Sequence, residues 1–157
     1  MTVYLVRHAK AGDREEWAAS DHLRPLSRPG RRQAEGLVKL FVKLFEDRRP
    51  GRILSSPALR CVETVAPLAR ACGLEVEETE ALAEGAGPWG ALALLREKAD
   101  RGLVLCSHGD VIQEVLEELV DRGIDLGRTP RLAKGSTWAL EVDGDAVLGG
   151  RYVPPPD

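Results

Sequence analysis

Two strand-like runs, far apart in the chain, each end in a histidine. The first is Val3-Tyr4-Leu5-Val6-Arg7-His8 and the second is Leu103-Val104-Leu105-Cys106-Ser107-His108-Gly109. Short, continuous apolar runs of this kind are what buried strands of a parallel sheet look like. In open α/β sheets, ligands bind in the crevice beyond the carboxyl ends of the strands. One such crevice can receive both imidazoles, so the pair constrains the fold and the site together.

The intervening sequence alternates between strand and helix signals. Residues 2–7 read as a strand and 9–26 as a long polar loop, a length often associated with function. Ser27 can cap a helix from about 28 to 46, with Ala34, Leu37, Val38, Phe41, Leu44 and Phe45 on one apolar face. Residues 52–55 form a short strand. Ser56-Pro57 then reads as a cap-then-proline start of a helix that runs to Ala71-Cys72-Gly73, with a break or kink at Pro67. Leu74–Glu78 is a third strand, 79–88 is loop and 89–100 is helical. Strand 103–107 feeds a helix over 110–122, with Leu116, Leu119 and Val120 facing inward. Residues 138–142 and 146–148 read as a hairpin turning on Asp143-Gly144 in a type I′ turn. The tail Pro154-Pro155-Pro156-Asp157 is expected extended or frayed. The predicted fold is a three-layer α/β/α sandwich with a mainly parallel sheet and an antiparallel C-terminal strand, one domain over 1–157.

Composition narrows the function classes. The chain has 157 residues, 43% hydrophobic and 30% charged, which suits a soluble domain with a sizeable core. No apolar run reaches the length of a membrane span, and no secretory signal core follows the N-terminus, so a cytoplasmic location is expected. The three cysteines, Cys61, Cys72 and Cys106, lack metal-type spacing and read as reduced thiols. A net charge of −3 argues against a general nucleic-acid binder. Charge is unevenly spread: residues 1–60 hold 13 Lys/Arg and 7 Asp/Glu, and residues 61–157 hold 9 and 18. The basic half could draw in anions, or it could be an ordinary solvated surface.

Several residues could carry chemistry. A neutral imidazole such as His8 is a nucleophile toward phosphorus when one nitrogen is free and the other is held as a donor. Arg7 beside it offers a fork of donors suited to phosphate oxygens. The alternative is a histidine that merely closes a strand. His108 stands between a strand and a helix start, where free N–H groups favour an anion, or it is a simple turn residue. Arg60 falls in the first turn of a helix, where a cation is unfavourable unless an anion offsets it. A bound phosphate would do so, and so would a surface pair with Glu63. Lys10 could reach a distal phosphate or stay solvated. Trp17 and Trp89 could stack on a base, although core or rim packing is the plainer role. His22 is assigned to solvent.

Jointly these blocks resemble a known family. Leu5-Val6-Arg7-His8-Ala9-Lys10, Arg24-Pro25-Leu26-Ser27, Gly30-Arg31-Arg32-Gln33-Ala34, Ser55-Ser56-Pro57-Ala58-Leu59-Arg60-Cys61-Val62-Glu63-Thr64 and Ser107-His108-Gly109 occur in the order of the histidine phosphatase superfamily, the phosphoglycerate mutase-like branch 1. The nearest likeness is to short SixA-type phosphohistidine phosphatases, whose Arg-His-Ala-Lys version fits Ala9. The chain also resembles the phosphatase domain that some bacteria fuse to a MutT-type Nudix hydrolase. The resemblance implies His8 as the nucleophile that becomes phosphohistidine. It implies Arg7, Arg60 and His108 as the phosphate pocket, with Ser55 and Ser56 shaping the approach to Arg60. It implies no metal and no cofactor. Leu82-Ala83-Glu84 fits the context in which many members place a general acid, which makes Glu84 the candidate; a solvated loop glutamate is the other reading. The expected activity is phosphatase action on a phosphohistidine protein. The alternatives are a phosphomonoesterase for nucleotides or other small esters, and an inactive phosphoprotein-binding module. No membrane partner is expected, and oligomeric state is open.

Overall fold

The computed structural model describes every residue except 46–48, 99–101 and 128–129. Its strands are β1 (Thr2–Arg7), β2 (Arg52–Ser55), β3 (Val76–Glu78), β4 (Leu103–Ser107), β5 (Thr137–Asp143) and β6 (Ala146–Val153). They form a six-stranded sheet in the order β3-β2-β4-β1-β5-β6. The β1, β4, β2 and β3 strands are mutually parallel, β5 runs antiparallel to β1, and β6 antiparallel to β5. The helices are α1 (Arg28–Phe45), α2 (Leu59–Cys72), α3 (Trp89–Lys98) and α4 (Gly109–Asp121).

Strand alternation assigns the two faces. Tyr4, Val6, Ile53, Val104 and Cys106 point to one side and pack with Leu37, Phe41, Cys61, Val65 and Leu68 of α1 and α2. Val3, Leu5, Leu54, Leu103 and Leu105 point to the other and pack with Leu92, Leu95, Val111, Ile112, Val115, Leu116 and Leu119 of α3 and α4. Because β1 and β4 are buried on both faces, their sequences show no polar alternation. This is the expected three-layer sandwich.

Local differences have identifiable causes. Ser27 Oγ accepts from Gly30 N–H at 3.2 Å, as a cap should. The ends placed at 46 and 100 lie outside the described residues, as does the Phe45 side chain. Helix α2 begins at Leu59, later than Ser56-Pro57 suggested, because Ala58 has a non-helical backbone (φ −59°, ψ 134°) and stands as the N-cap. It continues through Pro67 to Cys72 without ending there. Strand β3 starts at Val76, not Leu74. Of the three residues expected inward on α4, Leu116 and Leu119 are buried with Val111, Ile112 and Val115, whereas Val120 is 39% exposed. Asp143 pairs with Ala146, so the hairpin turns on Gly144-Asp145, one residue later than expected. β6 then extends to Val153, and the proline tail lies against α1, with Pro156 over Gly36.

Candidate active site

Chain direction makes the crevice. From β1 the chain passes through α1 to β2, on one side of the sheet order. From β4 it passes through α4 to β5, on the opposite side. The connections diverge between β1 and β4, which opens a gap at their carboxyl ends. His8 and His108 stand there. Arg7 pairs with Ser107, His8 N–H donates to Ser107 O at 3.0 Å, and the two rings meet edge to face with centroids 5.4 Å apart.

The His8 ring has one nitrogen occupied and one open. Its Nδ1 lies 2.7 Å from Ala9 O. A carbonyl can only accept, so the neutral ring carries its proton on Nδ1 and keeps a lone pair on Nε2. Burial, followed by the charges of His108, Arg60 and Arg7, brings the His8 pKa down from 6.5 to about 3, against the opposing pull of the Ala9 carbonyl. The ring is therefore neutral at physiological pH.

Two arginines frame it. Arg7 Nη1 donates to Leu132 O at 2.5 Å, and its buried Nε has no partner among the described residues. The guanidinium lies flat over Gly109, where a Cβ would come within 2.8 Å of Cζ; glycine at the start of α4 is what lets Arg7 in. Arg60 is only 2% exposed. Its Nη2 contacts Glu84 Oε2 at 2.7 Å and Asp21 Oδ2 at 3.1 Å, its Nη1 donates to Asp21 O at 3.0 Å, and its buried Nε is unpartnered. The anion needed near the start of α2 is thus supplied by two carboxylates. Glu63 does not pair with Arg60; it accepts from Leu26 N–H at 2.9 Å.

Sequence reasoning missed Asp21 and Arg24. Asp21 sits in a short 3-10 turn, Asp21–Leu23, and its carboxylate meets Arg14, Arg24 and Arg60. Buried Arg24 also donates to Gly12 O at 2.6 Å, which staples the 9–26 segment over the crevice. Arg24 had a signal, as part of the Arg-Pro-Leu-Ser block. Asp21 had none.

His108 is oriented from behind. Its Nε2 lies 2.8 Å from Ser56 Oγ and 3.6 Å from Cys61 Sγ. Ser56 Oγ, which also accepts Ala58 N–H at 3.2 Å, can meet Nε2 as donor or acceptor. Nδ1 lies 4.0 Å from the acceptor-only carboxylate of Glu84, which favours the tautomer with its proton on Nδ1 and has the Ser56 hydroxyl donate to Nε2. Ser56 therefore serves His108 rather than Arg60, while the Ser55 hydroxyl donates to Ser56 O.

Arg7, His8, Arg60, Glu84 and His108 line one cavity of about 940 Å³, with Lys10 and Lys134 at its exposed rim. Glu84 faces the pocket and is not merely a solvated loop residue. A smaller hollow of about 290 Å³, sharing Arg14 and Glu84, is lined by Trp17. Trp89, expected at core or rim, is 62% exposed, and His22 is exposed as expected. The cysteines are unpaired. Among the described residues, no helix is long and apolar enough to cross a membrane.

The sequence pattern of the histidine phosphatase superfamily (branch 1) matches residues 3–95. This chain belongs to that superfamily. The 8-oxo-(d)GTP phosphatase of Mycolicibacterium smegmatis is 32% identical over 161 residues, covering 99% of this chain and 49% of that protein. The chain thus spans about half the length of that relative. The phosphohistidine phosphatase SixA homolog of Haemophilus influenzae is 30% identical over 148 residues, covering 88% of each chain. In three dimensions, the protein histidine phosphatase SixA complexed with tungstate superposes with a TM-score of 0.77 at 21% identity, covering 100% of this chain and 97% of that one.

Proposed function

We propose that residues 1–157 act as a single phosphatase domain that works through a covalent phosphohistidine on His8, with a phosphohistidine protein as the favoured substrate. The observation that carries the reading is the neutral, Nδ1-anchored His8 ring between two arginines with unpartnered buried nitrogens. His8 Nε2 attacks phosphorus in line, forming an N–P bond as the bond to the leaving atom breaks. Arg7, Arg60 and protonated Nδ1 of His108 hold the phosphoryl oxygens, where charge builds in the transition state. Phosphate entering the cradle takes over Arg60 Nη2 from the carboxylates. Water then attacks phospho-His8, gives up a proton and releases phosphate and a free ring. Two displacements replace one harder step.

Substrate choice turns on the leaving atom. An imidazole leaving group has its own protonatable nitrogen and manages without a strong acid, and the likeness to the SixA homolog supports this branch. Small esters or nucleotides are the second reading, because Glu84 lies within the cavity 2.7 Å from Arg60, and once phosphate displaces it from Arg60 its carboxylate can take up a proton from solvent and pass it to an alkoxide. The likeness to an 8-oxo-(d)GTP phosphatase supports the same branch. The reading includes metal independence and a cytoplasmic site of action, in keeping with the unpaired thiols.

The test is phosphate release from an aryl phosphate, nucleotides and a phosphohistidine protein, with chelator present, by wild type and His8→Ala. Activity in chelator that vanishes in His8→Ala is expected. Loss of activity in chelator overturns the metal-free mechanism, and equal, negligible turnover by both proteins favours the binding module. A preference for the phosphohistidine protein selects the first substrate class, and a preference for nucleotides the second.

A further inference from the structure

The floor of the cavity is closed by the buried residues His8, Arg60 and His108, so whatever is attached to a phosphate held there must leave past the rim. The cations divide accordingly. Arg14, Arg24 and Arg60 are tied to Asp21 or Glu84. Lys10 and Lys134, exposed at the rim, have no carboxylate partner among the described residues. Asp13 and Asp110 also line the cavity, where they accept the backbone N–H groups of Glu15 and Gly85, so two ammonium groups without an ion-pair partner remain at one cavity mouth to attract a second anion.

Their backbones are fixed with more care than solvated lysines require. One carboxamide, that of Gln33 on α1, accepts from Lys10 N–H at 3.0 Å and donates to Lys134 O at 3.5 Å. The Lys10 carbonyl accepts from both the N–H and the hydroxyl of Ser27, each at 2.9 Å. Gly135 N–H is shared between Arg7 O at 3.2 Å and His8 O at 3.1 Å, which ties the Lys134 segment to the nucleophile strand. Gly135 has φ +80°, and a Cβ there would lie 3.1 Å from the Gln33 carboxamide, so a side chain would crowd the clamp. Two segments distant in sequence are thus held by one side chain, each presenting a free cation to the same opening.

We propose that Lys10 and Lys134 form a second anion subsite that recognises a phosphate carried by the leaving group. The small substrates it selects contain two phosphates in succession, a phosphoanhydride chain whose terminal phosphoryl group goes to His8. This rests on the phosphatase reading of the His8 site and deepens its small-molecule branch. The leaving phosphate remains on the Lys10–Lys134 pair until product dissociates.

Binding without turnover tests the subsite. Methylenediphosphonate and methylphosphonate are titrated calorimetrically into wild type, Lys134→Gln and Lys134→Arg, with chelator present. Phenyl phosphate hydrolysis is measured in parallel. Wild type should bind the diphosphonate about tenfold more tightly than the monophosphonate, the scale of a charge-assisted contact. Lys134→Gln should lose most of that advantage while its methylphosphonate affinity and phenyl phosphate turnover stay within about twofold, and Lys134→Arg should keep it. Equal affinity of wild type for the two probes, no measurable diphosphonate binding, or an undiminished advantage in Lys134→Gln overturns the subsite. Absence of phenyl phosphate hydrolysis with the affinity ratio intact overturns the phosphatase reading alone.

Discussion

Acidification separates a neutral, desolvated His8 from an ordinary surface histidine. The folded protein holds this ring at a pKa of about 3, against 6.5 without the fold. Between those values the unfolded chain binds a proton at this position and the folded chain does not. Stability therefore falls as pH falls through that window, and the slope ends near the folded pKa. Each unit of pH inside the window removes about 1.4 kcal/mol, so a drop of about two units from pH 6.5 removes about 3 kcal/mol through His8 alone. The variant His8→Asn lacks the titration and retains the carboxylates, whose own protonation affects both proteins alike. Urea denaturation of the two proteins at about pH 7 and about pH 4.5 gives the four free energies required. Wild type should lose about 3 kcal/mol more than His8→Asn on acidification. Parallel losses would mean that His8 titrates as it does in solution, and that the nucleophile is not held neutral by burial and its cationic neighbours.

Other perturbations probe single contacts. Glu84→Gln should slow alkyl phosphates by about a hundredfold, the usual scale for a lost general acid, and scarcely affect aryl phosphates with good leaving groups; equal slowing of both would show that only the Arg60 contact was lost. Ser56→Ala should shift the His108 ring proton away from Nδ1, visible in nitrogen NMR, and lower kcat/KM about tenfold, with Ser56→Thr restoring both; an unchanged tautomer would remove Ser56 from this role. Gly109→Ala puts a methyl group 2.8 Å from the Arg7 guanidinium and should weaken inhibition by inorganic phosphate by about tenfold, with little loss of stability. Unchanged inhibition would place Arg7 outside the phosphate cradle.

The sequence made strand ends legible and side-chain convergence much less so. Arg7, His8 and His108 follow from apolar runs that stop abruptly, and Arg60 from a cation misplaced at a helix start, because each signal is local. Asp21 lies in an irregular polar loop with no periodicity, and its role exists only where three arginines meet in space. Ser56 was misread for a related reason. As a cap it is a local signal, and its hydroxyl does accept Ala58 N–H, but its partner His108 comes from another strand, a contact that no local pattern marks. Val120 satisfied helical spacing and is still 39% exposed, since the buried stripe of α4 runs through Val111, Ile112, Val115, Leu116 and Leu119 and leaves it at the edge. The proline tail looked free because the α1 face that receives Pro156 is marked only by Gly36.

The covalent intermediate is the centre of the mechanism, and trapping it is the most direct measurement. Wild type mixed with a substrate labelled in its phosphoryl group and quenched in alkali should carry label on His8, stable to alkali and lost in acid. His8→Ala should carry none. Label on another residue, or full turnover of substrate with no label retained in a rapid quench, would contradict nucleophilic attack by His8.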